Sequence, residues 1–400
     1  MKVAPDKINS ITATCPACGL LCDDVAIENN NNKINVLPNG CAKSVSFFGQ
    51  PLGEIKPQIN GKPATFEQAA THAAKLLKTS QRPLFMGLST DVQGFRSIFN
   101  LSQKTNGTLQ HINAQSIARN LKVLQSTGWQ TTTLTEVKNR ADMIVCFGSD
   151  LLSHHPRFFE RLVDCDGMFV TAKNRQVIVI GNTLNQDIIN SDALQAALVL
   201  PCRADDLPSV TIALRALVAG KALKAQQVAG ITVGDLQTVA NKLKAAKYAV
   251  LAWAAKDLDF PHAELTIQNI TETVAILNQS TRAAGLPVGG SNGDTTANNA
   301  NTWLSGITLN DEIIEHDLVV WVNSFSAEKS PPKTTKPLII IGNSNTKLEA
   351  DVFIPTATPG LDCSGTLFRV DSAVILPLKK VRDNNLPTLS EVVNAIEKLM

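Results

Sequence analysis

The stretch "DMIVCFGS", residues 142–149, decides how the chain is read. Five apolar residues run unbroken and end in Gly-Ser. A strand with one wet face alternates apolar and polar residues; a strand buried on both faces need not. The same kind of run recurs in "RPLFMGLST", "QVIVIGN", "AALVLP", "YAVLAW", "DLVVWVNS", "KPLIIIGNS" and "DVFIPTA". Helical spacing lies between many of them, at 92–105, 207–218, 235–246 and 263–278. Thr65 is placed to cap a helix in "PATFEQAATHAAKLLKTS" (63–80), and "LSEVVNAIEKLM" closes the chain as an amphipathic helix. Buried strands alternating with helices predict an α/β fold of parallel sheets covered by helices. Several strands end in Gly, Asn or Ser, and ligand crevices form at such carboxyl ends.

Composition narrows the function. The chain has 400 residues, 44% hydrophobic and 18% charged, enough to bury a sizeable core in several lobes. A net charge of +2 gives no reason to expect nucleic acid or a membrane surface as partner. Aromatics at 5% argue against a base-stacking platform. "MKVAPDKINSITATC" has no apolar core for a signal peptide. The apolar runs "LVVWV" (318–322) and "LIIIG" (338–342) are too short to span a bilayer. A cytoplasmic protein is expected, and in a reducing compartment its eight cysteines do not read as a disulfide framework.

Four of those cysteines cluster early. "TATCPACGLLCDD" (12–24) carries Cys15, Cys18 and Cys22, and "PNGCAKS" adds Cys41. The Asn-rich hairpin "DVAIENNNNKINVL" between them returns the chain toward the first three. Residues 1–55 are therefore expected to form a small β-rich four-cysteine module, ahead of α/β lobes over 56–400. Four thiols suit Zn²⁺ or an iron–sulfur cluster. One tight loop of three with a remote fourth favours a cluster over zinc, with unliganded thiols as the bland alternative. Lys43 sits where a cation would offset a cluster's charge, or is a solvated surface lysine. The stretch "GLPVGGSNGDTTANNANTWLSG" (285–306) is too long for a turn and reads as a functional or flexible loop. Its glycines could cradle a phosphate, though no strand–GxGxxG–helix order supports a dinucleotide.

"CPACGLLCDDVAI", "TEVKNRADMIVCFGSDLLSHHPRFFERL" (135–162), "NNANTWLSG" (298–306) and "DVFIPTATPGLDCSGTLFRVDSAVILPLKKV" (351–381) together resemble the molybdopterin and tungstopterin oxidoreductases. Within them the chain is most similar to the B subunit of formylmethanofuran dehydrogenase. The resemblance implies a multi-lobed molybdopterin-oxidoreductase-like fold and cluster-ligand roles for Cys15, Cys18, Cys22 and Cys41. It places His155-Pro156-Arg157 near a pterin cleft and the loop holding Gly290 and Asn292 beside it. In catalytic members a cysteine or selenocysteine holds the Mo or W in a turn just before a helix. Registering "VLQSTGW" on that helix puts Ser116 at this position, with Ile117 and Arg119 where the family has His and Pro. A hydroxyl is a poor substitute for a soft ligand. A nucleophilic Ser116 with His111 as base is weak, since no third orienting group is visible.

The family has a bacterial branch, the formyltransferase/hydrolase complex of methylotrophs. It resembles the dehydrogenase but moves a formyl group to a methanofuran-like carrier and hydrolyses it to formate. The resemblance thus implies a B subunit in one-carbon metabolism that lacks the Mo/W-pterin and serves as a scaffold. Its partners would be an amidohydrolase-like A subunit, a C subunit and a formyltransferase D subunit. The four-cysteine site would hold a 4Fe-4S cluster or zinc, or stand empty. The rival reading is a working Mo/W-pterin subunit interconverting CO2 and the formyl group.

Overall fold

The computed structural model describes residues 10–54, 56–181, 191–309, 311–347 and 349–400. The chain forms two compact units, one from residues 1–114 and 290–400, the other from 115–289.

The first unit is built on a seven-stranded sheet. Its five parallel strands run, in spatial order, Val352–Thr356, Leu338–Asn343, Leu318–Asn323, Pro83–Ser89 and Thr108–His111, and the short hairpin Gln58–Ile59/Lys62–Pro63 adds antiparallel to one edge. All seven residues of Pro83–Ser89 and all six of Leu318–Asn323 are buried, as expected for strands covered on both faces. One face packs against the helices Phe66–Thr79, Val92–Lys104 and Leu389–Leu399. Thr65 caps the first of these in a reciprocal box with Gln68. Strand order reverses between Pro83–Ser89 and Leu318–Asn323, so a topological switch point lies at their carboxyl ends.

The N-terminal segment is a three-stranded antiparallel sheet, Ser10–Ala13, Val25–Asn30 and Lys33–Val36, with Asn31 and Asn32 turning the hairpin at positive φ. A short helix, Ala42–Phe48, follows. Asn29 donates to the Val381 carbonyl at 2.6 Å and Lys379 to that of Thr12 at 2.9 Å, tying this sheet to the C-terminal segment of the same unit.

The second unit holds five parallel strands in the order Leu198–Pro201, Gln176–Gly181, Met143–Phe147, Ala249–Trp253 and Ala283–Pro287. It is doubly wound, with its switch point between Met143–Phe147 and Ala249–Trp253. Helices Leu207–Val218, Val233–Ala245 and Ala263–Leu277 pack into its core. Among the described residues no helix is long and apolar enough to cross a membrane.

Two expectations change. Residues 285–306 are not one loop: Gly285 lies in the last strand, and Asp294–Ser305 is a helix. Asn and Thr are poor helix formers, but left-handed glycines at Gly293 and Gly306 bracket the segment, and Ala297 and Ala300 are buried in the core. Likewise, the helix Ala114–Ser126 begins early enough to include Ser116, which lies in its first turn rather than in a preceding loop.

Candidate functional site

The four cysteines of the first unit do converge. Cys15, Cys18 and Cys22 are buried, Cys41 is half-buried, and none is in a disulfide. The loop folds back on itself. The Cys15 amide donates to the Cys22 carbonyl at 2.9 Å, and Leu21 takes φ 46° to turn the chain. Cys41 arrives as the N-cap of Ala42–Phe48, its amide held by Ser44 Oγ at 2.8 Å. Burial pushes the Cys15 thiol up, and the negative charge of the other three thiolates pushes it further. Burial likewise raises Cys18 to about 12, against which Lys43 acts in the opposite sense. The lysine beside the last thiol therefore does bear on the group. The donor set suits a thiophilic metal in kind: four reduced thiols in mutual electrostatic reach, sheltered from water. In arrangement they stop short. Among the described residues no set of three or more His, Cys, Asp or Glu side chains is arranged to hold a metal ion.

The loop 290–294 links this module to the sheet. Gly290 has φ 80°, and a Cβ there would lie 2.5 Å from Gly19 Cα, inside the cysteine loop. A Cβ on Gly293 would lie 2.9 Å from the Thr90 carbonyl oxygen at the switch point. Asn292 gives its carbonyl to His111 Nε2 at 3.1 Å. The other ring nitrogen, Nδ1, accepts from the Asn113 amide at 2.9 Å, which fixes the tautomer with the proton on Nε2. His111 is fully buried and its pKa is lowered by that burial, so both nitrogens are committed and it is not free to act as a base. Gly290 and Asn292 thus join the four cysteines and Lys43 in one region of one unit, through backbone packing that the sequence did not disclose.

At this unit's switch point the side chains of Ser89, Asn323 and Ser324 are buried. Ser89 Oγ, Ser324 Oγ and Asn323 Nδ2 have no protein hydrogen-bond partner. Buried polar atoms require partners, so this is where ordered water or a small polar ligand would be met. Asp91, N-cap of Val92–Lys104, stands beside it with its pKa raised by burial.

The remaining expected residues belong to the second unit. His155 is buried. Arg157 is buried too, with Nε 3.0 Å from Glu160 Oε2. His154 meets both carboxylate oxygens of Asp257 at 2.7 and 2.8 Å, just beyond that unit's switch point. Ser116 is half-buried in Ala114–Ser126. Cys146 sits in mid-strand within the core, and burial raises it to about 12.

Two doubly organised sheets with ligand-type crevices, joined to a cysteine module, define a molybdopterin-enzyme-like fold. The chain superposes on acetylene hydratase from Pelobacter acetylenicus with a TM-score of 0.67 at 10% identity, covering 97% of this chain and 69% of that one. It superposes on a chain of the formyltransferase/hydrolase complex FhcABCD from Methylorubrum extorquens, solved with methylofuran, with a TM-score of 0.73 at 20% identity, covering 86% and 98%. No protein-family model matches the chain. In sequence it is homologous to the B subunits of formylmethanofuran dehydrogenase and of that complex, as the resemblance in its motifs implied. It is 27% identical to the B subunit of the tungsten-containing formylmethanofuran dehydrogenase 2 of Methanococcus maripaludis, over 92% of each chain. It is 23% identical to the Fhc B subunit of Methylorubrum extorquens, over 79% of this chain and 89% of the relative.

Proposed function

We propose that the chain is the B subunit of a formylmethanofuran dehydrogenase-related formyltransferase/hydrolase complex, acting in one-carbon metabolism without redox chemistry of its own. Its α/β units would form a platform that keeps a hydrolase A subunit, a C subunit and a formyltransferase D subunit together. A tethered formyl carrier would then pass between active sites at raised effective concentration. What supports this reading is Ser116, a helix-borne hydroxyl that the motif resemblance registers at the position of the family's soft metal ligand.

On this reading no other cysteine of the described residues takes its place. Cys146 is core. The carbonyl of Cys165 is held by Arg175 just before the strand Gln176–Gly181, at the amino end of the sheet, away from its ligand crevice. Cys202 follows the strand Leu198–Pro201 and Cys363 lies near the strand Gly365–Phe368, neither in the turn before Ala114–Ser126. On this reading the residues do not supply the soft ligand that a Mo- or W-pterin centre needs. The four N-terminal thiols would hold a 4Fe-4S cluster or zinc, or stand empty; a bound metal would stabilise a module with little core of its own.

The rival, a working dehydrogenase subunit, draws on one observation: the charge of Lys43 acts on Cys18, as expected beside an electron-relay cluster. Metal analysis with ultraviolet–visible and EPR spectra on protein purified without oxygen, with its copurifying subunits, separates the two. About four iron atoms per chain without Mo or W supports the platform. Stoichiometric Mo or W with released pterin overturns it.

A further inference from the structure

The second unit carries a cleft of about 1020 Å³ at the end of its sheet away from the switch point. Its lining comes from the segments that enter the strands. Asp142 precedes Met143–Phe147, Lys247 and Tyr248 precede Ala249–Trp253, and Arg282 precedes Ala283–Pro287. Ligands of catalytic sites in doubly wound sheets bind at the opposite, carboxyl ends. A molecule held here would not compete with one bound there.

The charges in the cleft are unbalanced. Arg140 pairs with Glu136 at 2.7 Å. Asp142 is spent on the backbone, accepting from the Lys247 and Tyr248 amides at 2.8 and 2.9 Å. Three cations thus line the cleft against two carboxylates, a net positive charge carried by Lys247 and Arg282, whose side chains make no ion pair among the described residues.

One wall of the cleft is apolar and fixed. Met168 and Phe169 are 75% and 62% exposed, a large apolar surface for adjacent residues of one loop. Their backbone is nevertheless held: Met168 donates to Asn139 Oδ1 at 3.2 Å and Phe169 to the Asn139 carbonyl at 2.9 Å. Arg140 stacks on the Phe169 ring 4.2 Å from its centroid. Behind the loop the buried Arg175 guanidinium donates to the carbonyls of Val137, Ala141 and Cys165 at 2.9, 2.8 and 3.3 Å, and to that of Lys138. An exposed Met–Phe pair on an immobilised backbone is pre-organised, and Met, Phe and Arg are the side chains enriched at protein interfaces.

We propose that this cleft docks an acidic segment of another subunit of the assembly, its carboxylates meeting Lys247 and Arg282 and an apolar side chain resting on Met168 and Phe169. The inference rests on the subunit reading above and adds to it a surface and the chemistry of the partner.

The test uses the assembled complex, purified through a tag on this chain. A photo-crosslinking phenylalanine analogue replaces Phe169, and mass spectrometry identifies the attached peptide. The expected product joins position 169 to an Asp- or Glu-bearing peptide of another subunit. In parallel, the pair Lys247→Glu and Arg282→Glu should lower that subunit's retention by roughly tenfold, whereas Lys221→Glu with Lys224→Glu, exposed on the same unit, should leave it unchanged. Equal melting curves for the two double variants exclude misfolding; if the Glu pair melts early, Lys247→Gln with Arg282→Gln replaces it. A complex that assembles while position 169 stays unlinked, links only to a second copy of this chain, or ignores the charge reversal overturns the inference and leaves the subunit reading standing. A tagged chain that brings down no other subunit overturns both.

Discussion

Replacing Gly290 by alanine tests whether the loop 290–294 is the structural link to the cysteine module. Two penalties apply. The residue sits at φ 80°, where an L side chain is disfavoured by about 1–2 kcal/mol. The new Cβ would also lie 2.5 Å from Gly19 Cα, and a backbone atom cannot swing aside. Gly19 is itself tied, since its carbonyl accepts from the Val370 amide at 2.9 Å. The loops must separate, an overpacking strain of about 1–3 kcal/mol. The sum is about 2–5 kcal/mol. Gly306→Ala supplies the control: it lies in the same unit at φ 73°, with nothing within 4 Å of its Cβ position. It incurs the first penalty only. Urea unfolding of both variants gives the difference, expected at about 1–3 kcal/mol, and hydrogen exchange over residues 15–22 should quicken in Gly290→Ala alone. If the two variants are equally mild and exchange at 15–22 is unchanged, the close approach of Gly290 to Gly19 does not hold the cysteine loop.

Three further outcomes follow from the geometry. The His111 pKa is lowered by burial below its ordinary value near 6.5, so the unfolded chain takes up the proton first. Its stabilising contribution is complete above about pH 6.5 and is lost as pH falls below it, so urea midpoints should drop from neutral to mildly acidic pH, and less steeply in His111→Gln. Arg175→Ala strands the carbonyls at the end of helix Leu134–Arg140 and should destabilise by about 2–4 kcal/mol in chemical denaturation. Cys18→Ser should cut the metal content of anaerobically purified protein, whereas Cys146→Ala, a core change of about 1 kcal/mol, should leave it intact, read by metal analysis.

Much of the architecture was written in the apolar runs. "DMIVCFGS" and "DLVVWVNS" became central parallel strands because strands covered on both faces have no polar side to disguise them. The four cysteines were legible from spacing, and the hairpin that returns Cys41 from its Asn-Asn turn. Helix Asp294–Ser305 was not, because its Asn and Thr residues lack propensity and its caps are glycines that also serve as loop residues. The Gly290–Gly19 contact was hidden for a plainer reason: nothing local to either glycine names its partner. Nor did Arg140, Lys247 and Arg282 stand out. Each is an ordinary surface cation in sequence, and only the parallel sheet, which brings the entries of its strands to one end, makes them neighbours.

The division of the first unit has a consequence for the order of events at the ribosome. Its strand Pro83–Ser89 pairs with Leu318–Asn323, and the whole of residues 115–289 is synthesised in between. The inserted unit is continuous in sequence, with every strand of its sheet drawn from one span of chain, so it completes as soon as that span emerges. The opening segment must wait. Its cysteine loop gains the packing of Gly290 and the bond from Val370 only when nearly all of the chain has been made. Until then the thiols lack that cover, and a buried thiol is less open to oxidation than an exposed one, so the loop's final protection follows synthesis of the last strands.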